Sequence, residues 1–548
     1  IARAGAFSSV LIGLVVFVSF RSLPALALVF LPMGFGILWA FSLVPLTVGD
    51  FNLVTAFIVG IMFGLGVENS IYLVKDFQKE LAHRGPEEAL LETYLTTGPS
   101  VIISGLTTGF SLLLLTAVST FRGFSEYGFI GFLAIMLIMA SMFVVLPATL
   151  VLAQRAGLLA PYRTALPRVP RPRAPVTATL LAVLVAAAAF AALATRFDYN
   201  FHNFRFDRRK VGDSQQVRDR QNQVYAGSMS PGAVYVADDF AAADRLAAEL
   251  AAAKARPGTT IGRVRSLRDL VPDARTLGDR HALLEEIRGE LSGGWTRKVT
   301  DTDERRLIDD FRAWDEPAGA LGVTDIPDSI RRPLLTKDGT GRVIVSIHPA
   351  VERMDARNAM SFGRELGGLP QVAGVVGPIG ETVVFGEILR LVLDEGPRIV
   401  LMTLALVFAI VFAYQRSLGQ TLLILFPLVA GVVLSLGVLA AAGLKLNFFN
   451  IIVIPSLLGM GVDSGVHYFR RWRMHGGDVM AAQRELFEPM SVANWTTAIG
   501  YGGMIFANHP GIRSIGYFAV IGALCAWVTN LFLFPGLLTW IARRRVPA

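Results

Sequence analysis

Long apolar runs separated by short polar loops fill most of this chain. Five such runs come first, near 4–20, 24–46, 51–77, 99–119 and 126–153. A sixth lies near 176–195, and five more lie near 397–414, 418–441, 447–471, 489–507 and 514–542. A helix needs about 20 apolar residues to cross the hydrocarbon of a bilayer, so the pattern predicts eleven membrane-spanning helices. Between Arg196 and Gly396 the pattern changes to charged, mixed sequence of about one soluble domain's length. There Ala233–Val236, a helical stretch to Ala255 and Ile261–Val264 read as a β–α–β unit. Val343–Ile347, Asp355–Gly367 and Val372–Val376 read as a second, and amphipathic Glu381–Leu393 leads into the next span.

The two sets of five spans repeat one another. Arg21-Ser22-Leu23 matches Arg416-Ser417-Leu418, Pro32 matches Pro427, Asn52 matches Asn447, Gly64 matches Gly459, Gly66 matches Gly461 and Glu68 matches Asp463, each pair 395 positions apart. After one short gap the register resumes at 388, with Gly123 on Gly511, Gly128 on Gly516 and Pro147 on Pro535. Parallel repeats about an axis along the membrane normal produce this signature. The second block is preceded by a span and a soluble domain. The first begins at Ile1 with neither, so the repeat predicts that one span and one soluble domain are missing before it and that the chain as given is inactive.

Composition agrees with a polytopic membrane protein: 53% of the 548 residues are hydrophobic and only 17% charged, and mean hydropathy is +0.52. The net charge of +8 comes mainly from arginines on one set of loops. Arg155, Arg163, Arg168, Arg171 and Arg173 follow the fifth span, Arg470, Arg471 and Arg473 the ninth, and Arg543, Arg544 and Arg545 the last. Alternating spans put all of these on one side, which the positive-inside rule makes cytoplasmic. The soluble domain then lies outside the cytoplasm and the C-terminus inside. Arg122, Lys445 and Arg513 are exceptions on the outer side. No basic cluster interleaves with aromatics as single-strand nucleic-acid binding requires, so nucleic acid is not an expected partner. The single cysteine, Cys525, lies in an apolar run and supports neither an intramolecular disulfide nor a metal site.

Two acidic residues carry the chemistry. Glu68 lies in Gly64-Leu65-Gly66-Val67-Glu68-Asn69 and Asp463 in Gly459-Met460-Gly461-Val462-Asp463-Ser464, both deep in apolar helices. A charge at such depth costs at least about 2.5–3.5 kcal/mol, so residues of this kind face the bundle interior and mark ion or proton pathways. The plainer role is a carboxyl that stays protonated and hydrogen-bonds a neighbouring helix; its recurrence in both repeats favours proton exchange. Tyr72 follows Glu68 by four residues and His467 follows Asp463 by four, on the same helical faces. His467 is either a relay, since imidazole titrates near about 6.5, or a hydrogen-bonding residue; no second ligand makes it a metal site. Asn69 and Ser464 adjoin the acids. Thr107, Thr108, Thr496 and Thr497 either bond the carboxylates across helices or bond back to their own helix. Gly64, Gly66, Gly459 and Gly461 allow close helix packing.

These features together resemble the resistance–nodulation–division superfamily, particularly its mycobacterial-membrane-protein-large-like (MMPL) and hopanoid-transporter branches. The first block also looks like the sterol-sensing domain of eukaryotic lipid-handling proteins. Many members carry Gly-x-x-x-Asp-Tyr in both halves; here the acid is kept twice and the Tyr at neither position. The resemblance implies a polytopic α-helical membrane protein of two pseudo-symmetric five-helix blocks and a linking span, with one inserted α/β, ferredoxin-like, porter-type domain. The expected divisions are 1–155, a basic cytoplasmic loop 156–175, a span at 176–195, the periplasmic domain 196–396 and the second block 397–548. The resemblance also implies a proton-driven exporter of lipids or other hydrophobic molecules in a bacterial inner membrane, with Glu68 and Asp463 in the relay, no cofactor, no metal and no enzymatic activity. A dimeric or trimeric homo-oligomer is a candidate assembly. A lipid-sensing or scaffold protein without coupled transport is the alternative. A protein-translocation accessory is weaker, because such proteins usually have six spans per chain.

Overall fold

The computed structural model describes residues 2–49, 58–161, 169, 171, 173–204, 220, 231–270, 274–313 and 326–545. Asn52, Arg163 and Arg168 lie outside them, as do the side chains of Arg543, Arg544 and Arg545. The chain divides into two compact units, one of residues 1–213 with 389–548 and the other of residues 214–388.

The first unit is helical. Its first half holds α1 (Ala2–Phe20), α2 (Leu23–Thr47), α3 (Ile58–Glu80), the short α4 (Pro86–Thr96), α5 (Gly98–Val118) and α6 (Arg122–Arg155). α7 (Ala174–Ala194) links the blocks. The Phe240–Lys254, Ala274–Leu291, Thr302–Ala313 and Ala356–Gly367 helices of the other unit, α8 to α11, come next in the chain. The second half then holds α12 (Glu381–Gln415) from Leu389 onward, α13 (Leu418–Ala441), α14 (Val453–Met474), α15 (Val479–Gly502), α16 (Pro510–Val528) and α17 (Phe534–Arg545). Among the described residues, seven helical segments are long and apolar enough by composition to cross a membrane. The 23-residue α3 and the 22-residue α14 are not among them; these two carry the buried acids and end in charged residues. α4, whose Ala89 and Thr93 are buried while Leu91 and Leu95 stay exposed, is an element the apolar runs did not mark.

Local chemistry explains the repeated Arg-Ser-Leu. Arg21 and Arg416 both take a left-handed conformation, φ 49° and 50°, and end their helices with N–H bonds to Phe17 and Phe412 carbonyls. Ser22 and Ser417 then turn extended and start the next helix, Ser22 by accepting from the Ala25 N–H. Pro32 and Pro427 sit inside α2 and α13. The prolines of the last spans fare differently: Pro147 lies within α6, whereas α16 passes into α17 through a π-helical turn at Thr529–Leu533, just before Pro535. Such turns leave backbone groups unpaired, and the buried Gln483 amide donates to the Leu531 carbonyl there.

Packing exchanges helices between the halves. α3 lies on α15 and α14 lies on α5, while α5 packs on α6 and α2 on α6 within the first block. The alanine-rich α7 packs on α13, so closely that a Cβ on Gly437 would come within 2.8 Å of the Ala187 Cα.

The second unit contains a four-stranded antiparallel sheet of β1 (Ala233–Ala237), β2 (Ile261–Arg265), β3 (Val343–Pro349) and β4 (Val375–Ile379), in the order β2-β3-β1-β4. The two β–α–β units are therefore interleaved, each pair of strands split by a strand of the other, which is the ferredoxin-like arrangement. Alternate residues of β1 and β3 are buried and share a core with Leu246 and Leu250 of α8 and Phe362 and Leu366 of α11.

Candidate functional site

Glu68 and Asp463 are 5% and 4% exposed. They reach the bundle interior because the helices bearing them face each other there. Tyr72 and His467 stack, with ring centroids 4.1 Å apart and planes 11° apart. One further turn along, Arg471 donates to the Asp76 carboxylate, from a position 395 residues later in the chain. Both contacts join equivalent positions of the two repeats, so the pseudo-symmetry axis runs between α3 and α14. The acids lie four residues before the stacked rings on the same faces, and Glu68 is within electrostatic reach of Asp463.

The glycines set this approach. A Cβ on Gly64 would lie 3.3 Å from the Thr497 Cα, and one on Gly459 would lie 3.0 Å from the Thr108 Cα. Gly66 would meet Met33, and Gly461 would meet Leu428, the residues that follow the repeated prolines of α2 and α13. Each acid-bearing helix thus rests on the equivalent surfaces of two neighbours.

The polar groups around the acids are incompletely paired. Asp463 Oδ1, Tyr72 Oη, His467 Nε2, Asn69 Oδ1 and Thr108 Oγ1 are buried without a hydrogen-bond partner among the described residues. Buried polar groups are normally satisfied, so these five atoms, one on Asp463 itself and four on its neighbours, are free to accept or donate a proton or to hold water. A cavity of about 40 Å³, large enough for water, is lined by Glu68 with Ser435, Ser464, Asn494 and Thr497 among apolar residues of α13 to α16. Asn69 Nδ2 donates to Ser104 Oγ at 2.9 Å, and Asn494 Nδ2 to Ser464 Oγ at 3.5 Å. Thr497 Oγ1 donates across helices to the Gly64 carbonyl at 3.5 Å. Thr107 and Thr496 instead donate within their own helices, to Ile103 and Ala493 at 2.9 and 2.8 Å.

One charged network was not singled out from the sequence. Asp76 also accepts from Thr97; Arg471 reaches Glu485 at 3.1 Å, and Glu485 accepts from Lys79 at 2.5 Å and meets His475 at 2.7 Å. The Arg471, Asp76 and Glu485 side chains are only 11%, 15% and 10% exposed. Lys75 pairs with Glu488, which also accepts from Ser19 at 2.8 Å. The network ties α3, α14 and α15 together one turn beyond the stacked rings. Its signal in the sequence was Asp76 and Arg471 occupying the same repeat position with opposite charge. A third buried acid, Glu395 of α12, accepts from Ser119 Oγ, Thr120 N and Thr120 Oγ1 at 2.9, 3.1 and 2.6 Å and joins α12 to the α5–α6 turn. Among the described residues no group of three or more His, Cys, Asp or Glu side chains is arranged to hold a metal.

Comparison with known proteins agrees with the architecture. Residues 1–178 match the MMPL family. The hopanoid transporter HpnN of Burkholderia multivorans is 23% identical over 97% of this chain and 66% of its own length. That of Rhodopseudomonas palustris is 27% identical over 44% of this chain and 27% of its own. The chain thus spans just under two thirds of the first of these relatives and less of the second. Among solved structures, SecDF, a translocon-associated membrane protein from Thermus, matches 99% of this chain and 62% of its own, with TM-score 0.60 and 12% identity. SecDF in its super-membrane-facing form matches with TM-score 0.56. Nearly the whole chain, both halves included, aligns with one SecDF chain, a likeness of fold. Residues 1–178 thus match the MMPL family, and the chain is a multi-pass membrane protein that is similar over nearly its whole length to a hopanoid transporter.

Proposed function

We propose that this chain acts in proton-driven export of lipids or similar hydrophobic molecules, with Glu68 and Asp463 as its proton-exchanging groups. The facing of equivalent positions across the repeat axis carries the reading: two buried acids share one interior with a Tyr–His stack and several unpaired polar atoms. Neutralising one acid removes repulsion from the other and changes the favoured packing of α3 against α14. Tyr72 and His467 then stand between the acids and the Asp76–Arg471–Glu485 network, which closes one end of the bundle. The hydrophobic substrate class follows from the similarity to hopanoid transporters. In this reading the 214–388 unit lies outside the cytoplasm and the network lies at the cytoplasmic end.

The test is substrate flux by the full-length protein in vesicles under an imposed pH gradient, with lipid extracts as substrate. Glu68→Gln and Asp463→Asn should each reduce flux at least about a hundredfold, the lower end of the range for a lost proton-transfer group, while the proteins remain folded. Unchanged flux in both variants would favour a lipid sensor or scaffold.

A further inference from the structure

Two of the three basic residues that break the charge rule on the outer side share one cavity. The third, Arg122, is accounted for by its ion pair with Glu126 at 2.5 Å. Lys445 and Arg513 make no side-chain hydrogen bond or ion pair among the described residues, and both line a cavity of about 510 Å³ within the helical unit. Positive charge on that side opposes the usual distribution, so its concentration at one unpaired pair of residues calls for a counter-charge.

The cavity is a built one. Its floor is Asn447 and Asn450, 3% and 2% exposed. Asn447 Oδ1 accepts from the Phe449 and Asn450 N–H groups, both at 2.9 Å, and from Ser514 Oγ at 3.2 Å. Those backbone donors fix the amide's orientation and leave Asn447 Nδ2 as an unused donor on a buried residue lining the space. The wall is fixed by the Leu446 N–H bond to the Arg196 carbonyl at 2.9 Å and the Asp198 N–H bond to the Leu446 carbonyl at 2.7 Å. Asp198 also lines the cavity, its carboxylate accepting from Asn200 N at 3.0 Å and Asn203 Nδ2 at 2.7 Å. Its apolar lining includes Phe204, Leu439, Leu444 and Tyr517.

In the other repeat the positions equivalent to Lys445 and Arg513 are Asp50 and Ser125. The duplicated fold therefore does not require the cations, and they belong to the second half alone.

We propose that this cavity binds the phosphate of a phospholipid headgroup, held by Lys445, Arg513 and Asn447 Nδ2, with Asp198 placed to meet a headgroup amine. Two cations and one carboxylate fit a zwitterionic headgroup better than a sugar or a neutral sterol-like alcohol, and the leucines offer apolar surface to the lipid's glycerol end. The proposal borrows from the reading above only the side of the membrane; lipid binding here and proton-coupled flux fail or survive separately.

The experiment is photolabelling of the purified full-length protein in detergent with a photoactivatable phosphatidylethanolamine, followed by peptide mapping. Labelling should map to the segments around 439–450 and 510–517. It should fall at least about tenfold in Lys445→Gln/Arg513→Gln, as expected for loss of two charge-assisted contacts. Arg122→Gln should label as wild type, and Glu68→Gln, which slows flux in the reading above, should also label normally. Inorganic phosphate at millimolar concentration should leave labelling unchanged. Equal labelling in the double variant, labelling mapped elsewhere, or displacement by inorganic phosphate alone would each overturn the proposal, the last by assigning the cavity to free phosphate.

Discussion

His467 shows how much a single side chain can be asked to do. Its ring lies flat on Tyr72 at 4.1 Å with Nε2 unpartnered. His467→Phe should keep the stack and the folded protein while slowing proton-coupled flux, because phenylalanine fills the space and exchanges no proton. Flux at the wild-type rate in this variant would confine His467 to packing. Outside the membrane, Glu365 gives a residue-scale prediction with a pH sign. Burial alone would raise its titration, but hydrogen bonds from Thr259 Oγ1, Thr260 N and Thr260 Oγ1 outweigh it and hold the carboxylate below its usual range. A carboxylate lowered on folding contributes stability above its unfolded value, about 4.3, and loses it as pH falls through the lower folded value. Hydrogen exchange at the start of β2 should therefore be faster in Glu365→Gln than in wild type at pH 7, with the difference vanishing in acid. Equal protection at pH 7 would refute the role.

The helices were legible from their apolar runs, and the acids from their depth in such runs. Their surroundings were not, because hydrogen-bond partners come from other helices. Thr107 and Thr497 look alike in sequence, yet one bonds back to Ile103 and the other reaches Gly64 on α3. At this scale the close approach of α14 to α5 is the testable feature. Gly459→Val would drive new carbon into the Thr108 backbone, 3.0 Å from even a Cβ. Overpacking of this kind costs about 1–3 kcal/mol, and a lower melting temperature in detergent should report it. Gly419→Val, where a Cβ meets nothing within 4 Å, should do much less. The charged network makes a second element-scale prediction. Asp76→Asn leaves Arg471 with Glu485 as its remaining carboxylate partner, so it should destabilise by less than the about 3–5 kcal/mol of a fully broken buried pair. The double variant Asp76→Asn/Arg471→Gln should be less destabilised than the sum of the two single changes, measured by thermal unfolding.

For the whole molecule, the repeat makes a geometric claim that chemistry can check. With Cys525 changed to Ser, cysteines at positions 72 and 467 should be joined by a short thiol cross-linker, as seen after proteolysis between the two halves. Separate fragments would place the repeat axis elsewhere. The amino-acid sequence alone determined that long apolar helices come in two matched sets, that each set carries one acid at the same place, and that a soluble β–α–β pair interrupts them. Those properties depend on local hydrophobicity and on spacing, which a linear chain displays directly. Only the tertiary structure decided that Tyr72 lies on His467, that Asp76 meets Arg471, that the two β–α–β units interleave, and that Lys445 and Arg513 share a cavity. Such contacts join residues far apart in the chain, and their energies depend on distances of a few ångströms that folding alone creates.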